Sequence, residues 1–277
     1  MSHLLRRRLR DVTWSIATLL AVGVLLFPVV WVFLSSVKPD REIMSGHIVP
    51  RSITVEHYVA VVRRPDFLIA LRNSLVVGLA SAVIATGVAL PAAYSLARFR
   101  YRGREALGLL VLSTQMIPGI AILVPLVVVL RQLGLTNTLP GLTITHITLG
   151  LPIAVWMLRG YVEDIPVSLE EAALIDGCSR FGALRRIVAP LVSPAVVAIG
   201  TFAFVLSWGE YLLALSLMSS TATRTLPLAL QAMFDPYSLS WGQVMAGGVL
   251  ISLPAITLFM IFRRYLVGGL TAGGVKG

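Results

Sequence analysis

Six long apolar runs constrain this chain more than any other feature of its sequence. The first run, from Trp14 to Val37, contains no charged side chain, and a helix needs about 20 mostly apolar residues to cross a bilayer. The chain is 57% hydrophobic and only 13% charged, whereas a soluble domain carries about 25% charged residues. The sequence therefore predicts an all-α, polytopic membrane protein with six transmembrane helices, at residues 14–36, 68–96, 106–130, 139–161, 188–218 and 242–262.

The first run has one alternative interpretation, because Arg6-Arg7-Arg8-Leu9-Arg10 precedes it as in a signal peptide. Its apolar part is too long for the central region of a signal peptide, and no small-residue cleavage site follows it. We expect a retained membrane anchor.

The distribution of Lys and Arg predicts which side of the membrane each loop faces. With a cytoplasmic N-terminus, most of the 23 Lys and Arg residues lie in cytoplasmic loops, in agreement with the positive-inside rule. The resulting organisation is a cytoplasmic N-terminus at 1–13, a six-helix membrane domain at 14–262 and a cytoplasmic tail at 263–277. A cytoplasmic loop at 163–187 joins the fourth and fifth helices, and both termini are cytoplasmic.

The 163–187 loop carries the signals of a short helix. Pro166 ends the preceding helix, and Ser168 with Glu171 three residues later has the spacing of a capping box. Gly177 supplies the positive φ that ends the helix, and Ser179 is a candidate N-cap for a second helix. These signals alone are also typical of any short surface helix.

One stripe of this short helix predicts a contact surface. Leu169, Ala172, Ala173 and Asp176 fall on the same face, and the two alanines keep that face shallow. We expect a shallow face of this kind to allow the close approach of another protein.

The run Glu171-Ala172-Ala173-Leu174-Ile175-Asp176-Gly177, followed by Ser179, Arg185, Ile187, Pro190 and Pro194, resembles the EAA loop of the membrane subunits of binding-protein-dependent ABC importers. The resemblance implies a type I ABC importer permease fold, in which this loop docks on a separate ATPase subunit as a coupling helix. It assigns the ATPase-coupling role to Glu170, Glu171, Ala172, Ala173, Asp176 and Gly177.

Further stretches are similar to the carbohydrate branch of that family, in particular to the maltose-type second permease subunit. They are residues 53–58, 71–75, 116–118, 124–126, 133–138 and the C-terminal 269–277. This similarity implies import of a sugar or a sugar-like solute across the plasma (inner) membrane. It also implies a second permease subunit, two ATPase subunits and an extracytoplasmic solute-binding protein as partners, with ATP and Mg bound by the ATPase and no cofactor bound by this chain.

Several other functions lack support in the sequence. Neither lysine lies in a phosphate-binding P-loop, the four histidines have no metal-ligand spacing, and no G-x-S-x-G nucleophile motif is present. The net charge of +10 belongs to cations at membrane edges rather than to a nucleic-acid surface. We therefore expect a transport subunit without a catalytic site, embedded in lipid.

Four polar or aromatic residues within the apolar runs are candidates for the solute pathway: Asn73, Gln115, Trp208 and Glu210. Glu210 is the strongest, because carboxylates inside a membrane are costly and usually face a cavity or a partner. Trp208 offers a flat apolar face to a sugar, but a tryptophan in a membrane helix also packs or anchors. Asn73 and Gln115, like His146, are also candidates for hydrogen bonds between helices, which is the more common role of such residues.

Two alternative functions stay open from the sequence alone. The chain could serve an importer of amino acids, polyamines or another small solute. It could also be a membrane scaffold without a transport role, in which case Glu171 would have no function.

Overall fold

The computed structural model describes residues 2–234 and 239–272, and throughout these ranges the secondary structure is helical, without strands. In chain order the helices are α1 (Ser2–Ser36), α2 (Asp40–Ile43), α3 (Glu56–Arg63), α4 (Pro65–Arg98), α5 (Arg104–Ser113), α6 (Gly119–Gln132), α7 (Leu139–Glu163), α8 (Val167–Ile175), α9 (Arg180–Ala183), α10 (Ala189–Leu191), α11 (Ser193–Trp208), α12 (Leu212–Leu217), α13 (Leu226–Gln231) and α14 (Trp241–Ala272). A π-helical turn, Leu184–Val188, joins α9 to α10.

Four of the six predicted spans are single helices, each of which is long enough and apolar enough to cross a membrane. They are Asp11–Ser36, Pro65–Arg98, Leu139–Glu163 and Trp241–Tyr265. The other two predicted spans correspond to bent helix pairs, so the described part of the chain has six spans if each pair counts as one. The predicted all-α polytopic fold is confirmed at this level.

The predicted third span, 106–130, is not one helix. It consists of Arg104–Met116 and Gly119–Gln132, which meet at an angle of 99°. Pro118 has no N–H to continue the first helix, and it holds the preceding Ile117 in an extended conformation with ψ of 122°. The chain therefore turns sharply at a position that the sequence analysis treated as continuous.

The predicted fifth span, 188–218, is broken twice. The chain bends by 75° between Arg180–Leu191 and Ser193–Trp208, where Pro194 occupies the first turn of α11. It is interrupted again after Trp208, because Gly209, Glu210 and Tyr211 separate α11 from α12. The second interruption places Glu210 at the start of a helix rather than inside one.

Both ends of the chain are more helical than predicted. α1 begins at Ser2, within the stretch 1–13 that was assigned to a terminal segment, and α14 continues to Ala272, ten residues beyond the predicted end at 262. Of the predicted tail at 263–277, residues 273–277 lie outside the described residues.

The described chain divides into two compact units, Met1–Pro65 with Leu230–Ser252, and Asp66–Ala229 with Leu253–Gly277. In the first unit, the amino group of the fully buried Lys38 donates to the carbonyl of His47 and lies 5.0 Å from the centre of the Trp31 ring. The carboxylate of Glu42 accepts the backbone N–H groups of Arg51 and Ser52, and the Arg51 bond lowers the pKa of Glu42 below its usual value. These bonds fix the connection between α2 and α3.

In the second unit, α4, α7 and α11 pack closely through small side chains. The cluster they share consists of Ala89, Ala93, Leu96, Ala154, Val155, Leu158, Ala195 and Ile199. Small residues let helix backbones approach in a membrane, where no hydrophobic effect drives association. This packing holds the C-terminal half of α4 against α7 and the first half of α11.

The start of α7 leaves no room for a side chain at Gly141. A Cβ atom there would contact the backbone carbonyl of Leu135, which cannot move aside as a flexible side chain would. We expect Gly141→Ala to lower the free energy of unfolding by about 1–3 kcal/mol through overpacking. Gly87→Ala in α4 is the matched control, because its Cβ would meet no atom within 4 Å. Thermal unfolding in detergent should separate the two variants, and equal unfolding temperatures would contradict the close contact.

Candidate functional site

The short helix predicted in the 163–187 loop is present as α8, but it starts differently. Its N-cap is Pro166, with φ of −57° and ψ of 126°, and no side chain caps the helix. Ser168 is the second residue of α8, so the predicted capping box between Ser168 and Glu171 is wrong. Proline explains the difference, since its fixed φ already matches a helical start and the N–H of Leu169 closes the first turn on the Pro166 carbonyl.

The end of α8 is as predicted. Gly177 has a φ of +85°, and its N–H binds the carbonyl of Leu174 at 3.1 Å, while the N–H of Cys178 binds the carbonyl of Ala173 at 2.9 Å. This pair of bonds is the Schellman motif. The predicted cap of the next helix is confirmed too, because the hydroxyl of Ser179 accepts the N–H of Gly182 at 3.1 Å.

The predicted contact stripe on α8 is split between surface and interior. Ala172 and Asp176 are exposed and Leu169 is 46% exposed, whereas Ala173 is buried at 8%. Ala173 therefore packs within the chain, and its methyl group is not part of the outer face that the sequence analysis expected.

The exposed side of α8 carries both apolar and acidic side chains. We call this set the α8 surface: Val167, Leu169, Glu171, Ile175 and Asp176, all of them exposed. Ile175 is 85% exposed, and Phe181 on α9 is 71% exposed. Large apolar side chains exposed at a surface mark an interaction site, so the α8 surface is suited to a partner that brings an apolar cleft and a positive charge.

Glu170 points the other way, into the chain. It is 4% exposed, and its carboxylate accepts the hydroxyl of Tyr94 at 2.8 Å and Nε of Arg98 at 2.6 Å. Arg98 also donates through Nη2 to the carbonyl of Ile165 at 2.7 Å. Glu170 was predicted from the sequence to be an ATPase-coupling residue, whereas Tyr94 and Arg98 were not among the predicted site residues. The sequence signal for this pairing was weak, because Arg98 is only the first of four arginines, at 98, 100, 102 and 104, that follow the second apolar run.

A cavity of about 420 Å³ brings together two of the four candidate pathway residues, Gln115 and Glu210. Its other polar side chains are Thr114 and Thr148, and the rest of the lining is apolar. The amide of Gln115 donates to the carbonyl of Leu149 at 2.8 Å, which fixes its orientation at the cavity wall. This volume lies in the range of about 300–1,000 Å³ that is usual for small-molecule sites.

Glu210 has a local structural role at the break between α11 and α12. Its two carboxylate oxygens accept the backbone N–H groups of Leu213 at 2.9 Å and Ala214 at 3.1 Å. His146 on α7 places Nε2 3.5 Å from the same carboxylate, and its Nδ1 lies 2.6 Å from the hydroxyl of Ser207. The carboxylate thus stabilises the first turn of α12, which sequence reasoning missed because it treated the span as unbroken.

The other two candidates, Asn73 and Trp208, do not line this cavity. Asn73 is 3% exposed, and its amide donates to the carbonyls of Ala222 and Arg224 at 2.9 Å each. Trp208 is 5% exposed, and its ring stacks on Phe204 with centroids 5.3 Å apart. Among the described residues no group of His, Cys, Asp and Glu is arranged to hold a metal ion.

Comparison with known proteins gives a consistent result along nearly the whole chain. Residues 85–271 match the family described as binding-protein-dependent transport system inner membrane component. A trehalose transport system permease protein from Mycobacterium tuberculosis is 36% identical over 97% of this chain and 98% of its own. A diacetylchitobiose uptake system permease protein from Streptomyces coelicolor is 35% identical over 94% and 95%. A trehalose/maltose transport system permease protein from Thermococcus litoralis is 31% identical over 97% and 98%.

The fold is also similar to a solved structure. A chain in the crystal structure of a bacterial ABC transporter that imports the acidic polysaccharide alginate superposes with a TM-score of 0.80, covering 93% of this chain and 96% of its own. The two sequences are 23% identical, so the likeness concerns the fold.

Proposed function

Since the chain belongs to the family of binding-protein-dependent transport system inner membrane components, we propose that it is the permease subunit of an ABC importer for a sugar. The observation that carries this proposal is the exposed helix α8, which bears the EAA sequence between two membrane spans and presents an apolar and acidic face. The carbohydrate names of the full-length relatives support a sugar over the amino acids or polyamines of the alternative.

The α8 surface would dock on a separate ATPase subunit. Ile175 and Leu169 would fill an apolar cleft, and Glu171 would meet a cation there. The end of the second unit that carries α8 would accordingly face the cytoplasm, with both termini on that side. ATP and Mg would be bound by the ATPase, and this chain would contribute no catalytic group.

The polar lining of the cavity beside α12 suits a solute rich in hydroxyl groups and disfavours an anion. Its lining combines one carboxylate, Glu210, with the amide of Gln115 and the hydroxyls of Thr114 and Thr148, and it includes no Lys or Arg. Amide and hydroxyl groups hydrogen-bond to sugar hydroxyls, whereas a carboxylate in a low-dielectric site repels an anionic solute. A second permease would close the pathway, and an extracytoplasmic solute-binding protein would deliver the sugar.

Reconstitution tests this function directly. The chain, its cognate second permease and its ATPase are placed in proteoliposomes with the solute-binding protein outside, and uptake of radiolabelled trehalose, maltose, an oligouronate and spermidine is measured. We expect ATP-dependent uptake of a neutral disaccharide and none of the oligouronate. Vesicles loaded with a non-hydrolysable ATP analogue are the control. Uptake of spermidine alone would favour the alternative solute class, and absence of any ATP-dependent uptake would favour the scaffold.

A further inference from the structure

The Arg98 end of α4 is bound to α8, the helix that carries the EAA residues. Arg98 and Glu170 have side-chain exposures of 8% and 6% and are joined at 2.6 Å, and Tyr94 adds a second bond to the same carboxylate. A buried ion pair is broken only by leaving an uncompensated charge in the interior. α8 therefore cannot shift relative to this end of α4 without that cost.

The segment that follows α8 holds the same end of α4. The guanidinium of Arg180 on α9 lies 5.3 Å from the centre of the Phe99 ring, and Phe99 meets the Tyr94 ring edge to face at 5.9 Å. Tyr94 also packs in a cluster with Leu184 and Val188. Residues 170–188 thus contact the C-terminal end of α4 in three ways: through an ion pair, through aromatic rings and through apolar packing.

The opposite end of α4 is bound to another segment of the chain. Asn73 donates to the carbonyls of Ala222 and Arg224 at 2.9 Å each, and the hydroxyl of Ser74 accepts the N–H of Leu226 at 2.8 Å. Asn73 and Arg98 are separated by about 37 Å along the helix at 1.5 Å per residue. The single helix α4 therefore contacts α8 near one end and residues 222–226 near the other.

We propose that Glu170 is a positioning residue that transmits movement of α8 to α4, and through Asn73 and Ser74 to the 222–226 segment at the far end of that helix. This inference rests on the proposed function, since it takes an ATPase to displace α8. It separates the tasks of two adjacent carboxylates: Glu171 faces the partner, and Glu170 passes the displacement into the membrane domain.

The test follows a probe at the far end of α4 and needs no knowledge of the solute. In a Cys178→Ala background, Ala222→Cys is labelled with a soluble fluorescent maleimide in the full complex, without nucleotide, with ATP, and with ATP plus vanadate, which traps ADP and vanadate in the ATPase. We expect the labelling rate to depend on ATP, and we expect Glu170→Gln to remove most of that dependence while ATP hydrolysis continues. Uptake should fall roughly 2- to 30-fold, the usual range for changes in coupling.

Two further variants keep the outcome interpretable. Glu105→Gln is the matched control, because Glu105 pairs with Arg104 and Arg159 at an exposed position, and its ATP-dependent labelling should equal that of the unmodified chain. Tyr94→Phe removes one hydrogen bond to Glu170 and should lose a smaller part of the ATP dependence of labelling.

Full ATP-dependent labelling in Glu170→Gln would overturn the proposal. So would failure of this variant to bind the ATPase, since Glu170 would then only support the fold of α8. Absence of sugar uptake by the unmodified complex, with the labelling response intact, would count against the proposed solute alone.

Discussion

Replacing Glu171 with glutamine is expected to weaken binding of the chain to its ATPase by roughly two to four decades. Glu171 is exposed on α8, and docking of the α8 surface would bury its carboxylate against a cation of the partner. Removing one member of a buried ion pair costs about 3–5 kcal/mol, because the other charge stays desolvated. The measurement is the dissociation constant between the ATPase and the chain in lipid nanodiscs.

The helix itself should tolerate this substitution. Pro166, and no acidic side chain, forms the start of α8, and Gln and Glu have similar helix propensities. Glu105→Gln again serves as control, because an exposed ion pair contributes only about 0–1 kcal/mol. If Glu171→Gln binds as tightly as the unmodified chain, and only the helix-breaking Ala172→Pro in the interior of α8 fails, then α8 docks by shape and the charge has no role.

Hydropathy alone predicted where the spans lie but not where they bend. A proline at Pro118 ends a helix, whereas five other prolines lie inside continuous helices: Pro28, Pro91, Pro125, Pro152 and Pro254. A proline inside a helix leaves a backbone carbonyl without its hydrogen bond. In a membrane the helix continues past the proline only where a neighbouring helix or side chain binds that carbonyl. That information belongs to tertiary packing, so the breaks at Pro118 and Gly209 are absent from the apolar pattern.

The candidate site could be predicted from the sequence only where its residues contact near neighbours in the chain. Gly177 and Ser179 act through bonds to residues a few positions away, and both were predicted correctly. Glu170 and Glu171 are adjacent and chemically identical, yet they differ by about 100° around the helix axis. One is buried against Arg98, 72 residues away in sequence, and the other is exposed. No local pattern distinguishes them, because the distinction depends on where α4 ends.

Glu210 illustrates a residue with two roles at one position. The carboxylate lines the cavity and also accepts two N–H groups at the start of α12. A loss of transport after its removal would therefore not by itself indicate a contact with solute. Two variants separate the roles, since glutamine keeps one acceptor oxygen and a similar size, and leucine keeps neither acceptor.

Replacing Glu210 with leucine is expected to destabilise the chain by roughly 2–6 kcal/mol, because each buried N–H left without an acceptor costs about 1–3 kcal/mol. The unfolding temperature in detergent should fall by roughly 5–20 °C, and uptake in proteoliposomes should be lost. Glu210→Gln should lose about half as much stability, roughly 1–3 kcal/mol, because its amide oxygen replaces only one of the two acceptors at the start of α12. If the carboxylate also contacts the solute, Glu210→Gln will raise the solute concentration needed for half-maximal uptake. A leucine variant with unchanged unfolding temperature and uptake would show that neither the cap nor the cavity depends on Glu210.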